Sequence, residues 1–235
     1  MYQRASANHF FGENYHMTKF LGAGLLLTAL FLAACEDPAA NKVKAITGNA
    51  STPATTVQAA STPQAKGEVL ALTPDNSKVL FTGSKVTGRH EGGFNQFNGT
   101  IDLVNNKPEE SRVWVEIDAA SVFTDTDGVT KHLQTGDFFD VGKFPKASFI
   151  STKIVQDTAG DPDTYTVTGD LELRGQKKAV TFPATIKVTP ESVAVNAEFS
   201  INRKDFGIVY AGKADDLIRD DVAIKLDLNS TRKKK

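Results

Sequence analysis

The sequence predicts an all-β fold, an eight-stranded antiparallel up-and-down barrel with one short helical connector. Three observations carry that prediction. Between Lys78 and Asn229, apolar and polar residues alternate in successive short runs, the period-two pattern of strands with one buried and one wetted face. The intervals between runs are mostly short, as at Gly175-Gln176 and Pro190-Glu191, which pairs neighbours antiparallel. A single cysteine lacks the pair that marks immunoglobulin-type sandwiches, the rival architecture.

The eight runs are Val79–Phe81, Phe94–Leu103, Val113–Ile117, Phe149–Ile154, Tyr165–Leu173, Val180–Val188, Val193–Ile201 and Val222–Leu228. Closing them into a barrel removes exposed edges, and eight strands enclose either packed side chains or one small ligand. The exception to the alternation is "KHLQTGDFFDVGKFPKASF", Lys131 to Phe149, where Leu133, Phe138, Phe139 and Val141 recur closer to a helical period. Gly136, Gly142 and Pro145 are expected to end that turn.

Ahead of the barrel, Phe20 to Leu32 ("FLGAGLLLTALFL") is an apolar run behind Lys19, too short to span a bilayer comfortably and suited to a signal-peptide core. It assigns residues 1–34 to a signal peptide, with Met17 an alternative start. The run closes in "LAAC", which resembles the lipobox of bacterial lipoproteins and implies lipidation of Cys35. Residues 35–73, rich in Ala, Thr, Pro, Ser and Gln, contain no aromatic residue and have little to bury. They are expected to form a flexible tether, followed by the domain at 74–230 and a basic tail at 231–235. Glu36 after the cysteine, rather than Asp, favours the outer membrane, facing the periplasm.

Lys and Arg number 27 against 28 Asp and Glu, for a net charge of -1. Such a balance excludes the broad basic face that nucleic acid requires. Four His and one Cys show no zinc spacing, and no HExxH or GxSxG pattern occurs. "DTDG", Asp125 to Gly128, starts like a calcium loop but lacks the later ligands. The carboxylates Asp215, Asp216, Asp220 and Asp221 are read as a solvated face. No catalytic residue, metal or cofactor is expected, and the chain is not expected to be an enzyme. Phe is the main aromatic, 15 residues against Tyr 4 and Trp 1, which suits either a dry core or a lipid-lined cavity, composition alone favouring the core.

The blocks "GGFNQFNGTI", "VWVEIDAASVFT", "HLQTGDFFDVGKFPKASFIST", "YTVTGDLELRGQKKAVTFP" and "INRKDFGI" resemble, in order and spacing, the YceI family of periplasmic polyisoprenoid-binding proteins. The resemblance runs from Ser77 to Leu228. It implies a lipocalin-like barrel whose connector covers a pocket for an isoprenoid tail, on a quinone or a polyprenyl phosphate. The implied pocket candidates are Phe81, Phe94, Phe97, Leu133, Phe138, Phe139, Phe149, Phe182, Phe199 and Phe206, with Arg89, His90, Lys131 and His132 as headgroup candidates. The expected partners are an isoprenoid lipid and, through Cys35, a membrane; dimerisation is left open. A filled barrel serving as a structural or interaction module of the envelope is the alternative. Two stretches depart from the family pattern, "GSKVTGRHEGGF" and "VYAGKADDLIRDD".

Overall fold

The computed structural model describes residues 37–50 and 66–232. The expectations for residues 1–34, for Cys35 and for the last residues of the tail fall outside them. In chain order the strands are β1 (Val43–Lys44), β2 (Ile46–Asn49), β3 (Glu68–Leu72), β4 (Ser77–Lys85), β5 (Gly88–Phe94), β6 (Phe97–Leu103), β7 (Arg112–Asp118) and β8 (Val122–Thr124). Helix α1 (Asp127–Leu133) follows, then β9 (Lys146–Gln156), β10 (Thr164–Leu173), β11 (Gln176–Val188), β12 (Ser192–Asn202), β13 (Gly212–Lys213), β14 (Asp216–Leu217) and β15 (Asp221–Thr231).

All eight expected runs lie in strands, but the strand count differs from eight. Part of the excess comes from bending. Only Asn95 and Gln96 separate β5 from β6, and a 3-10 turn, Ala119–Ser121, separates β7 from β8. Pairing carries on across both kinks, from Phe97 opposite Ile117, through the Asn95 amide donating to Ser121 O at 3.0 Å, to Phe94 opposite Val122. A single kinked hairpin thus accounts for four strands. The main sheet runs β3-β6-β7-β9-β10-β11-β12-β15-β4-β5-β8, with β1 on β12 and β2 on β11. Since β5 beside β4 continues directly into β6 beside β7, the sheet curls back on itself into a barrel-like shell.

The rest of the excess corrects the tether. Within the segment expected to be flexible, the described residues contribute β1, β2 and β3. Composition misleads there because a strand that adds to an existing sheet edge satisfies its backbone without a large apolar face of its own. Only β3 brings large buried side chains, Leu70 and Leu72.

One end of the shell carries the β4–β5 turn, the segment between β8 and β9, the β10–β11 turn and the long link from β12 to β15. Arg174 in the β10–β11 turn ties two of these together, donating to Gly136 O and Gly207 O at 2.7 Å each. Val86 N donates to Leu217 O at 3.2 Å, joining the β4–β5 turn to the β13–β14 hairpin. The helix is shorter and earlier than expected: it stops at Leu133, before Gly136, and turns occupy most of the path to Phe144. Those turns are fixed by backbone bonds such as Phe139 N to Leu133 O and Asp140 N to Thr135 O.

The core packs tightly inside the shell, where Leu72, Val180 and Val193 are almost wholly buried. Two strand glycines serve close packing. A Cβ on Gly169 would lie 2.4 Å from the Phe149 ring, and one on Gly92 would lie 2.8 Å from the Phe81 ring. In each case a phenylalanine from the neighbouring strand covers the bare backbone.

A lidded apolar cavity

The shell holds a cavity of about 240 Å³ that reaches up to the lidded end. Its accessible wall is apolar. Val79, Phe81, Phe149, Phe182, Phe199 and Leu226 are among the residues facing it from the strands. Phe182 lies stacked on Phe199, centroids 4.1 Å apart and planes within 9°, and tilts against Phe149 at 5.8 Å. Alternation on β9, β11 and β12 sends these rings to the same side, so three strands, β9 standing one strand away from β11 across β10, supply one aromatic wall.

The segment after β8 forms the lid. Leu133, Phe138 and Phe139 all line the cavity, although the backbone carrying the two phenylalanines is turn rather than helix. Phe139 meets Phe94 at 5.8 Å, and Phe94 meets Phe81 at 5.9 Å, a chain of rings from lid to wall. Of the ten pocket candidates, eight line the cavity: Phe81, Phe94, Leu133, Phe138, Phe139, Phe149, Phe182 and Phe199. Phe97 and Phe206 do not, and both are buried in the core cluster instead. Phe206 sits in a 3-10 turn, Arg203–Phe206, where strand alternation no longer predicts direction.

Beyond the lid is a vestibule of about 290 Å³, mostly apolar with a polar rim, sharing Phe81, Gly83, Leu133, Phe138 and Ile218 with the cavity. Two headgroup candidates, His90 and His132, line it; Arg89 and Lys131 do not and stand exposed. Lys85, Tyr210, Lys213 and Asp216 complete its polar rim, and sequence reasoning missed them. The signal available was the departure of "VYAGKADDLIRDD" from the family pattern, since that link supplies Tyr210, Lys213, Asp216 and Ile218. His132 is held edge-on between Phe138 at 5.0 Å and Tyr210 at 5.1 Å, and its Nε2 meets Asp137 at 2.8 Å.

Most charges around the vestibule are paired; among the described residues, Lys213 is the lining cation that faces no carboxylate. Lys85 bonds Asp216, whose other oxygen accepts from the Thr87 amide at 3.1 Å. The Lys85 ammonium, more than the threonine, holds the Asp216 carboxyl below the usual range. His90 Nδ1 meets Asp125 at 2.7 Å, and that bond, with one from the Glu91 amide, lowers the Asp125 carboxyl in the same way. Arg89 faces Glu91 at 3.7 Å. The acidic cluster read as solvated is largely engaged: Asp216 here, Asp220 with Arg203 and Lys204, and Asp221 with Lys44.

Arg203 is the buried charge at the cavity rim. Its guanidinium donates to Arg219 O at 3.0 Å, Ile208 O at 2.7 Å and Ile218 O at 3.2 Å, and meets Asp220 at 3.3 Å. Burial pushes its pKa down, and Asp220 opposes that shift. Three carbonyls and a carboxylate use its donors to pin the link between β12 and β15. Among the described residues, no cluster of His, Cys, Asp or Glu is arranged to hold a metal.

Residues 70–230 match the family model described as the YceI-like domain. Among relatives, a UPF0312 protein of Pseudomonas putida (strain F1) is 34% identical over 140 residues, 57% of this chain and 71% of that protein. A UPF0312 protein of Pseudomonas fluorescens (strain SBW25) matches over the same shares, also at 34%. Among solved structures, Burkholderia cenocepacia BcnA is 25% identical with a TM-score of 0.57, covering 67% of this chain and 98% of BcnA. A polyisoprenoid binding domain from Saccharophagus degradans, implicated in plant cell wall breakdown, shares the fold at 17% identity and a TM-score of 0.55, covering 72% of this chain and all of that one (100%). The breadth of the domain match, with the barrel-like shell it spans, places this chain in the YceI-like family.

Proposed function

We propose that the protein binds an isoprenoid lipid in the apolar cavity and acts as a carrier or sequestering protein of the bacterial envelope, anchored through a lipid on Cys35. The observation that carries the reading is the apolar wall of the cavity beneath an aromatic lid. An interior with no polar group to satisfy suits a hydrocarbon tail, and binding follows from apolar surface leaving water, about 25 cal/mol per Å². The Saccharophagus degradans domain of the same fold, named for polyisoprenoid binding, supports the ligand class. No constellation for covalent or acid-base chemistry meets the cavity, which favours binding over catalysis.

For the headgroup, the paired charges of the vestibule favour a neutral species such as a quinone. Lys85, His90 and His132 on its rim each already face a carboxylate, as does the exposed Arg89 outside it, so a phosphate would have to compete with Asp216, Asp125, Asp137 and Glu91. Lys213 is the one lining cation, among the described residues, that faces none. A tyrosine hydroxyl and two imidazoles can instead bond quinone oxygens. Mass spectrometry of lipids that co-purify with the protein tests the reading. A near-stoichiometric isoprenoid, with a quinone headgroup, is expected; a protein that purifies without lipid and takes up none from vesicles refutes it.

A further inference from the structure

We propose that residues 37–49 form a removable stave in the barrel wall, a side gate through which an isoprenoid tail passes into the cavity. The inference rests on the isoprenoid-binding function proposed above.

β11 and β12 are neighbours, yet they pair only from Thr185 opposite Asn196 to Val188 opposite Val193. Toward the lidded end they part. β2 takes the free side of β11, from Ile46 opposite Thr181 to Asn49 opposite Lys178. β1 takes the free side of β12 in parallel, Val43 opposite Phe199 and Lys44 opposite Ser200, and the Ala45 amide donates to Ser200 O at 2.8 Å. The N-terminal segment therefore fills a slit in the wall. The strands on either side of that slit carry Val180, Phe182, Phe199 and Ile201, which line the cavity.

The stave is lightly fastened. Val43 is 59% and Ile46 73% exposed, and the buried apolar residues of the segment are two alanines, Ala39 and Ala45. Its side-chain ties include Lys42 to Glu198, Lys44 to Asp221 at 2.7 Å, Asp37 to Arg219 at 3.3 Å and to the Ser84 hydroxyl at 3.5 Å, and the Thr47 hydroxyl to Asp205 at 2.7 Å. Exposed pairs of this kind add little stability. β3 makes the contrast: it also joins the sheet from the N-terminal side, but Leu70 is 3% and Leu72 0% exposed. Apolar burial fixes β3 in place, whereas backbone bonds that water can replace hold the stave, the signature of a unit that opens below the global unfolding free energy. A cavity of about 240 Å³ is also small beside the ~300–1,000 Å³ usual for drug-sized ligands. A long tail needs either more room or an opening along its length, and a parted wall supplies both.

Ile46 and Thr181 are directly opposed in the ladder, and Ile46 faces solvent. Opposed antiparallel residues hold their Cβ atoms about 4.5–5.5 Å apart, near disulfide range. The test uses the full chain with Ile46→Cys and Thr181→Cys in a Cys35→Ser background, oxidised or reduced. Uptake of ubiquinone-8 from phosphatidylcholine vesicles is followed by separating protein from vesicles at timed intervals and quantifying the quinone extracted from the protein. Oxidation is expected to slow uptake at least tenfold, and reductant to restore it. Equal rates in a fully cross-linked sample would overturn the gate while leaving the binding function standing. Absence of uptake in both states would overturn the binding function, and the gate with it. Hydrogen exchange supplies a second readout: amides of residues 46–49 are expected to exchange at least a hundredfold faster than those of 68–72. Equal protection would refute the stave.

Discussion

Truncating Phe139 and Phe182 to alanine separates lid from core. Phe182 is 5% exposed and stacked between Phe199 and Phe149, so Phe182→Ala is expected to cost about 3–5 kcal/mol of stability, as for buried phenylalanines in general. Phe139 is half-buried, and its ring neighbour is Phe94; with about half of that burial at stake, Phe139→Ala should cost about 2 kcal/mol. Phe139→Ala should also weaken ligand binding per folded molecule. If the lid ring contributes on the order of 60 Å² of contact to a bound tail, about 1.5 kcal/mol is lost at 25 cal/mol per Å², a drop of roughly tenfold. Urea unfolding and ubiquinone-8 titration on the same preparations measure both quantities. A Phe139→Ala protein destabilised as much as Phe182→Ala, with unchanged affinity, would make Phe139 a core residue and refute the lid.

Three further outcomes are expected. Cys35→Ala should leave an uncleaved precursor and abolish incorporation of a fatty-acid analogue, and unchanged labelling would exclude the anchor. Arg89→Ala should alter ubiquinone-8 binding less than twofold at both low and high salt; a large, salt-sensitive loss restricted to a polyprenyl phosphate would overturn the neutral-headgroup preference. The Asp125 carboxyl is depressed chiefly by its bond to His90, so its contribution to stability is present above the unfolded carboxylate pKa of about 3.9 and lost as pH falls through the lower folded value. His90→Ala should return Asp125 toward its ordinary titration range, as read by carbon-13 NMR of the carboxyl, and no movement would separate the two groups.

Where the sequence was readable, one face of a strand met the core. Val180, Phe182, Val195 and Phe199 repeat at the strand period because a single apolar side faces inward, and their places in the wall followed from alternation. β5 escaped notice for the opposite reason. Its buried positions include Gly92 and Gly93, and the rings and side chains covering them belong to Phe81, Leu80 and Phe123, so the strand carries almost no hydrophobic signal of its own. β1 and β2 were hidden because they add to strands already present and keep their larger side chains in solvent. The lid phenylalanines were found through the family resemblance and a near-helical spacing, yet that spacing misplaced the helix. The vestibule was the least visible: Tyr210 and Lys213 reach it from a link whose path depends on the buried Arg203, a tertiary contact with no local pattern.

The position of Asp37 bears on how far such a protein can stand from a bilayer. Its carboxylate meets Arg219 at 3.3 Å and lies 3.5 Å from the Ser84 hydroxyl, and Ser84 borders the vestibule. Cys35 is next but one in sequence, and an extended chain covers at most ~3.6 Å per residue. With Cys35 acylated, the leash between lipid and barrel rim is about 7 Å rather than the long free tether its composition suggested. Lipids in the host leaflet would then meet the vestibule at the high effective concentration of a tethered pair, and release of the stave would lengthen the leash as it opened the wall.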